Sequence, residues 1–157
     1  MRQPEPAMPV EGSAVRALSV GDFMTRELLT LKETDDLALA EQMLRLGAIR
    51  HLPVVRDGKL VGLVTQRDLL RASATRSART TVASEIMVRE PVTVRPSTPL
   101  VRAARAMLEK KFGCLPVCDE DGVLVGIITE ADFVRFAADM VQDLDLVAEA
   151  VNGSHRA

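Results

Sequence analysis

Apolar positions along this chain alternate between two registers. Leu37, Ala40, Met43 and Leu44 fall three or four apart, the spacing of one helical face. Leu52-Pro53-Val54-Val55 and Leu60-Val61-Gly62-Leu63-Val64 are instead short continuous apolar runs of strand length. Asp57-Gly58, a strong two-residue turn signal, joins them into a predicted hairpin. The same order then returns. Leu100, Ala103, Ala104, Met107 and Leu108 make a second helical face, followed by Leu115-Pro116-Val117, a longer acidic turn ending at Gly122, and Leu124-Val125-Gly126-Ile127-Ile128.

The recurrence is an internal duplication. Met24, Thr30, Leu37 and Pro53 answer to Met87, Thr93, Leu100 and Pro116, each 63 residues on. Past the prolines the shift becomes 64, through one extra residue within Cys118-Asp119-Glu120-Asp121, so Gly58 pairs with Gly122 and Asp68 with Asp132. Gly62-Leu63-Val64-Thr65-Gln66-Arg67-Asp68 therefore has a full twin in Gly126-Ile127-Ile128-Thr129-Glu130-Ala131-Asp132. Two copies point to a pseudo-symmetric pair rather than a solenoid.

Each unit reads as a short helical turn, an extended segment, a helix, a hairpin and a second helix. The turns are Val20 to Met24 and Ala83 to Met87, and the extended segments are Leu28 to Leu31 and Pro91 to Val94. Thr34 or Asp35 is the expected cap of the first long helix, and Ser97 or Thr98 that of the second, before Pro99 at its first position. The helix after the first hairpin, from about Gln66 to Ala72, runs into a polar linker, Ser73 to Thr80. Its twin carries on, with Phe133, Phe136 or Ala137, Met140, Leu144, Val147 and Val151 extending an apolar stripe that must cover something. The expected parts are a mobile tail over 1–16, a first unit over 17–73, a linker over 74–82, a second unit over 83–138, and a helical extension and tail over 139–157.

Composition narrows the classes. With 157 residues, 47% hydrophobic and 27% charged, the chain is long enough for a globular core. A net charge of −2 offers no general attraction to nucleic acid or anionic membrane. The absence of Trp and Tyr argues against stacking of single-stranded nucleic acid, leaving Arg71, Arg76 and Arg79 of the linker region as a weak candidate for it. No apolar run approaches the roughly 20 residues that span a bilayer, and the first residues lack the apolar core of a secretory signal, so a cytoplasmic location is expected. Cys114 and Cys118 have the spacing of half a zinc site, without a second pair to complete it, and Cys114 reads better as a buried strand thiol.

The order of elements, the His51-Leu52-Pro53-Val54 and Cys114-Leu115-Pro116-Val117 strands, and both Gly-x-x-Thr-x-x-Asp endings resemble the CBS domain, a small βαββα module. Their pairing, over about residues 18 to 137, resembles a Bateman module. The resemblance implies an α+β fold of two pseudo-twofold-related CBS (βαββα) units packed through their sheets. It further implies a ligand, an adenine nucleotide of the AMP, ADP or ATP class, in the cleft between the units.

By that resemblance Asp68 and Asp132 would bind ribose hydroxyls, with Thr65 and Thr129 close to ribose or phosphate. The chemistry suits them, since a carboxylate accepts two hydrogen bonds from a vicinal diol and a helix N-terminus favours an anion. The same residues also fit a capping box that needs no ligand. Base contacts would come from the extended segments, at Thr30 and Thr93, and from the strands around Pro53 and around Cys114, Leu115 and Pro116. Arg50, His51 and Arg67 make the first copy the more favourable one for phosphate, because the second has Gly113-Cys114 and Glu130-Ala131 there. Adenosine or S-adenosylmethionine would suit the second copy.

Catalysis has little support in the sequence. His51 and His155 are the only histidines, there is no nucleophile elbow, zinc-ligand set or Walker loop, and nothing in the repeat brings Cys114 to His51. The expectation is a non-enzymatic, energy-sensing regulatory module that needs no cofactor, forms a homodimer and signals to a separate target protein. The alternative is a structural or protein-interaction dimer whose clefts are unoccupied.

Overall fold

The computed structural model describes residues 17–75 and 77–153. The tail expected over 1–16, Arg76 of the linker, and His155 lie outside the described residues. In chain order the elements are α1 (Val20–Phe23), α2 (Leu37–Gly47), β1 (His51–Arg56), β2 (Lys59–Thr65), α3 (Gln66–Ser73), α4 (Ala83–Ile86), β3 (Val88–Arg89), α5 (Leu100–Lys110), β4 (Cys114–Cys118), β5 (Leu124–Thr129) and α6 (Glu130–Gly153). These are the two α+β units that the repeat predicts.

Each hairpin is antiparallel, with Pro53 opposite Leu63 and Pro116 opposite Ile127. Asp57 and Gly58 both take positive φ, 51° and 78°, as a tight hairpin turn of this kind requires. In the second hairpin Asp119 Oδ1 accepts from the amides of Asp121 and Val123, closing the longer acidic turn before Gly122 at φ 80°. The extended segments bridge in parallel to the outer edge of each hairpin, Leu31 to Val54 and Val94 to Val117. Leu31 and Val94 donate to the carbonyls of Pro53 and Pro116, so each proline serves the ladder by its oxygen alone.

The helix caps differ from the sequence expectation. Asp36, rather than Thr34 or Asp35, caps α2 by accepting from the Leu39 amide at 2.8 Å, while Asp35 accepts from Lys32 and braces the preceding turn. Pro99 itself is the cap residue of α5, and Thr98 accepts instead from the Arg95 amide. In both cases an earlier polar side chain is engaged in forming the turn that leads into the helix.

Neither unit closes its own core. α1 and Met24 belong to the first copy, yet Val20, Phe23 and Met24 pack with Leu100, Ala103, Met107, Leu115, Val117 and Ile128 of the second. Conversely, Ala83, Ile86 and Met87 of the second copy complete the core built on Leu37, Ala40, Leu44, Leu52, Val54, Val64 and Leu69. Backbone bonds follow the same exchange. Val20 donates to Thr98 and Leu100 to Leu18; Leu37 donates to Thr81 and Ala83 to Asp35. Thr25 pairs with Ile127 on β5, and β3 pairs with Gly62 and Leu63 on β2.

This exchange explains the glycine that opens each repeated motif. A Cβ on Gly126 would lie 2.6 Å from Met24 Sδ and 3.0 Å from the Thr25 carbonyl oxygen. A Cβ on Gly62 would likewise run into Met87. Each bare strand position receives the methionine of the opposite unit. Gly126→Ala and Gly62→Ala are each expected to lower stability by about 1–3 kcal/mol, as overpacking does. Urea denaturation checks this, and an unchanged midpoint in both variants would contradict the close approach.

α6 leaves the second unit with Phe136 edge-on to Phe23, ring centroids 4.7 Å apart. Beyond that contact the stripe runs on uncovered: Met140, Val141, Leu144 and Val147 are exposed, and the side chain of Val151 lies outside the described residues. No helix of the described residues is long and apolar enough to cross a membrane.

Candidate ligand-binding hollow between the two units

Both Thr-x-x-Asp motifs sit where a strand turns into a helix, and both are capping pairs. Asp68 Oδ2 accepts from the Thr65 amide at 2.9 Å and the Thr65 hydroxyl at 2.7 Å, and Thr65 Oγ1 accepts in turn from the Asp68 amide at 3.3 Å. In the second copy Asp132 Oδ2 accepts from the Thr129 amide at 2.8 Å and the Thr129 hydroxyl at 3.1 Å. One oxygen of each carboxylate thus satisfies its own helix start. The other oxygen separates the copies. Asp132 Oδ1 accepts from Arg135 Nη1 at 3.2 Å, whereas Asp68 Oδ1 has no bond among the described residues.

A hollow of about 640 Å³ lies between the units, within the range of small-molecule sites. The first copy lines it with Glu27, Leu28, Arg50, His51 and Pro53, and the second with Gly113, Thr129, Glu130, Asp132 and Arg135. The sequence comparison grouped Arg50 and His51 with the Thr-x-x-Asp motif of their own copy. The structure adds to that grouping: Arg50 and His51 line the same hollow as Thr129 and Asp132 of the other copy, while the Asp68 carboxylate still acts on the His51 ring. The backbone stays in its own unit, with the Arg50 carbonyl accepting from the Gln66 amide at 2.9 Å. The His51 ring crosses over to Gly113, where a Cβ would lie 2.9 Å from Nε2. Gly113 is thus the space that the imidazole occupies.

The other expected residues fall elsewhere. Thr65, Arg67, Asp68 and Thr30 line neither this hollow nor a second, more open one of about 940 Å³. Thr93 lines that second hollow, with Arg95, Arg102 and Cys118. Leu115 and Pro116 are fully buried in β4, and Cys114 packs with Leu63 and Ile127 where the units meet. Glu130 lines the hollow as the carboxylate already noted after Thr129, whereas Glu27 and Arg135 were not anticipated. Of these two, Arg135, one helical turn beyond Asp132, left a usable signal in the sequence.

Electrostatics make this a binding site of mixed sign. Burial lowers the pKa of His51; Glu130 and Asp68 oppose that shift, and Arg50 adds to it. The His51 ring lies against Gly113, the residue before Cys114, a proximity that the repeat by itself did not reveal. Burial, reinforced by Glu130, pushes the Cys114 thiol up to about 12, so it stays a neutral thiol rather than a nucleophile. Cys118 is raised by burial and Asp119. Among the described residues no group of three or more His, Cys, Asp or Glu side chains is placed to hold a metal ion.

A family model, the CBS domain, matches residues 20–75 and again 83–139. The chain belongs to the CBS domain family. Among solved structures this CBS pair is similar to CBSX2 of Arabidopsis thaliana in complex with AMP, at 38% identity and a TM-score of 0.71 over 78% of this chain and 97% of that one. It is also similar to the CBS domain pair of protein MJ0100 in complex with 5′-methylthioadenosine and S-adenosyl-L-methionine, at 28% identity and a TM-score of 0.73, over 80% and 99% of the two chains. A CBS domain-containing protein of Dictyostelium discoideum is 34% identical over 73% of this chain and 88% of its own length. Two archaeal homoserine O-acetyltransferases, from Methanohalobium evestigatum and Methanococcoides burtonii, match at 38% and 37% identity, and there the chain spans only 23% and 24% of the relatives' length.

The direction of the His51 shift sets a pH dependence for the CBS pair. An unfolded histidine titrates near 6.5 and the folded one lower, so the contribution of the neutral ring is fully present above that value. It declines as pH falls below about 6.5 toward the folded pKa. His51→Gln is expected to flatten this part of the profile, read as urea midpoints between about pH 7.5 and pH 5.5. Equal slopes in wild type and variant would contradict it.

Proposed function

We propose that this CBS pair is a non-catalytic regulatory module that binds an adenine nucleotide in the hollow between its units. The observation that carries the reading is Asp132, 7% exposed, at the start of α6 in the same hollow as Arg50 and His51. A buried carboxylate accepts from a ribose diol, the first amides of α6 add positive potential, and the guanidinium and imidazole answer a phosphate. The AMP bound to CBSX2 and the methylthioadenosine and S-adenosyl-L-methionine bound to MJ0100 share an adenosine moiety, which supports this ligand class. Glu27 and Glu130 line the same hollow and disfavour a highly charged polyphosphate, so AMP or ADP suits it better than ATP.

Regulation would follow from differential affinity. The hollow is built from both units, so a ligand that bridges them stabilises one arrangement of the pair, and a separate target protein would sense the shift. The uncovered stripe of α6 supports a second feature, self-association into a homodimer through Met140, Leu144 and Val147. Met140→Asp combined with Leu144→Asp is expected to convert a dimer to a monomer in sedimentation velocity. A wild-type protein that already sediments as a monomer would remove the dimer from the account.

A thermal-shift panel of AMP, ADP, ATP, adenosine and S-adenosylmethionine tests the ligand class. A ligand at one hundred times its Kd stabilises by about 2.7 kcal/mol, raising Tm by about 5–11 °C. Asp132→Asn, which keeps an acceptor for the Thr129 amide but loses the charge, is expected to abolish the shift, and Asp68→Asn to preserve it. A shift that survives Asp132→Asn would move the site elsewhere. No shift with any member would leave the protein-interaction reading.

A further inference from the structure

The third donor to the Asp132 carboxylate is the guanidinium of Arg135. A carboxylate this buried must have its oxygens satisfied, and Oδ2 already takes both donors of Thr129. Oδ1 has a single donor among the described residues, the Arg135 guanidinium at 3.2 Å. That guanidinium is loosely held: its side chain is 69% exposed and it meets the carboxylate through one nitrogen. Arg135 also lines the hollow, alongside Arg50, His51, Glu27 and Glu130.

These facts place two demands on the same oxygen. A ribose diol that approaches Asp132 from the hollow needs Oδ1, since Oδ2 is committed to the helix cap. Resting on the nucleotide reading above, we propose that Arg135 is a displaceable placeholder. It neutralises Asp132 in the empty protein, yields Oδ1 to the ribose, and turns its guanidinium to the ligand's phosphate. The glutamates make the second half of the exchange matter. Glu27, Glu130 and Asp132 set three carboxylates in the hollow against the guanidiniums of Arg50 and Arg135, with His51 held toward its neutral form, so Arg135 supplies half of the fixed positive charge that a phosphate can meet there. Arg135 therefore separates nucleotides from nucleosides. It costs a nucleoside a competitor for Oδ1 and gives a nucleotide a phosphate partner.

The first copy contains its own control. Arg71 stands three residues beyond Asp68 as Arg135 does beyond Asp132, but it does not line the hollow. Calorimetric titration of AMP and of adenosine into wild type, Arg135→Ala, Arg135→Lys and Arg71→Ala tests the proposal. Arg135→Ala is expected to weaken AMP by about tenfold or more, the worth of a charge-assisted bond, while adenosine binds as tightly as to wild type or tighter. Arg135→Lys is expected to recover part of the AMP affinity, and Arg71→Ala to bind both ligands as wild type does. A structural role would weaken both ligands together, and that result, or AMP affinity unchanged in Arg135→Ala, overturns this proposal alone. A wild-type protein that binds neither ligand overturns it together with the nucleotide reading.

Discussion

The architecture depends on a reciprocal exchange of lead-in segments. Val20 and Met24 of the first copy are buried in the second unit, and Ala83 and Met87 of the second are buried in the first. A fully buried aliphatic side chain of the size of Val or Met contributes roughly 1.5–3 kcal/mol. That is a large part of the margin by which domains are stable. Each unit therefore lacks an essential part of its core until the other is present. Gly62 and Gly126 are the local condition for this, because any side chain there would occupy the space of the incoming methionine.

The hollow is a consequence of that exchange. Once Thr25 lies along β5 and β3 along β2, the starts of β1 and β4 face each other across the junction. His51 reaches toward Gly113, and the first copy's basic residues come to the second copy's helix start. The lead-in residues Glu27 and Leu28 line the same space, so the segment that completes the core also shapes the site. A ligand in this hollow would touch residues of both units, so its binding would bear on their relative position.

Much of the fold was legible in the sequence, because a duplication states each pattern twice. Hairpins, helix faces and the Thr-x-x-Asp helix starts all follow from local spacing and turn chemistry. The exchange was not legible. Met24 and Met87 look alike in either unit, and periodicity does not say which core an apolar residue enters. That Arg50 and His51 share a hollow with Thr129 and Asp132 of the other copy was hidden for the same reason, since spacing along the chain does not say which residues share a cavity. The cap of α2 was missed by one residue, as Asp35 and Asp36 have the same chemistry and only the turn at Lys32 distinguishes them. Arg135 was within reach, at helical spacing from an aspartate already singled out.

The most direct test of this account is fragment complementation. Residues 1–76 and 77–157 would be prepared separately and followed by far-ultraviolet circular dichroism, which reads their helices in a chain without Trp or Tyr, during thermal unfolding. The account predicts no cooperative transition for either fragment alone, because each lacks the lead-in segment that fills its core. It predicts one shared transition when they are mixed in equal amounts. A cooperative transition in the isolated 1–76 fragment would contradict it.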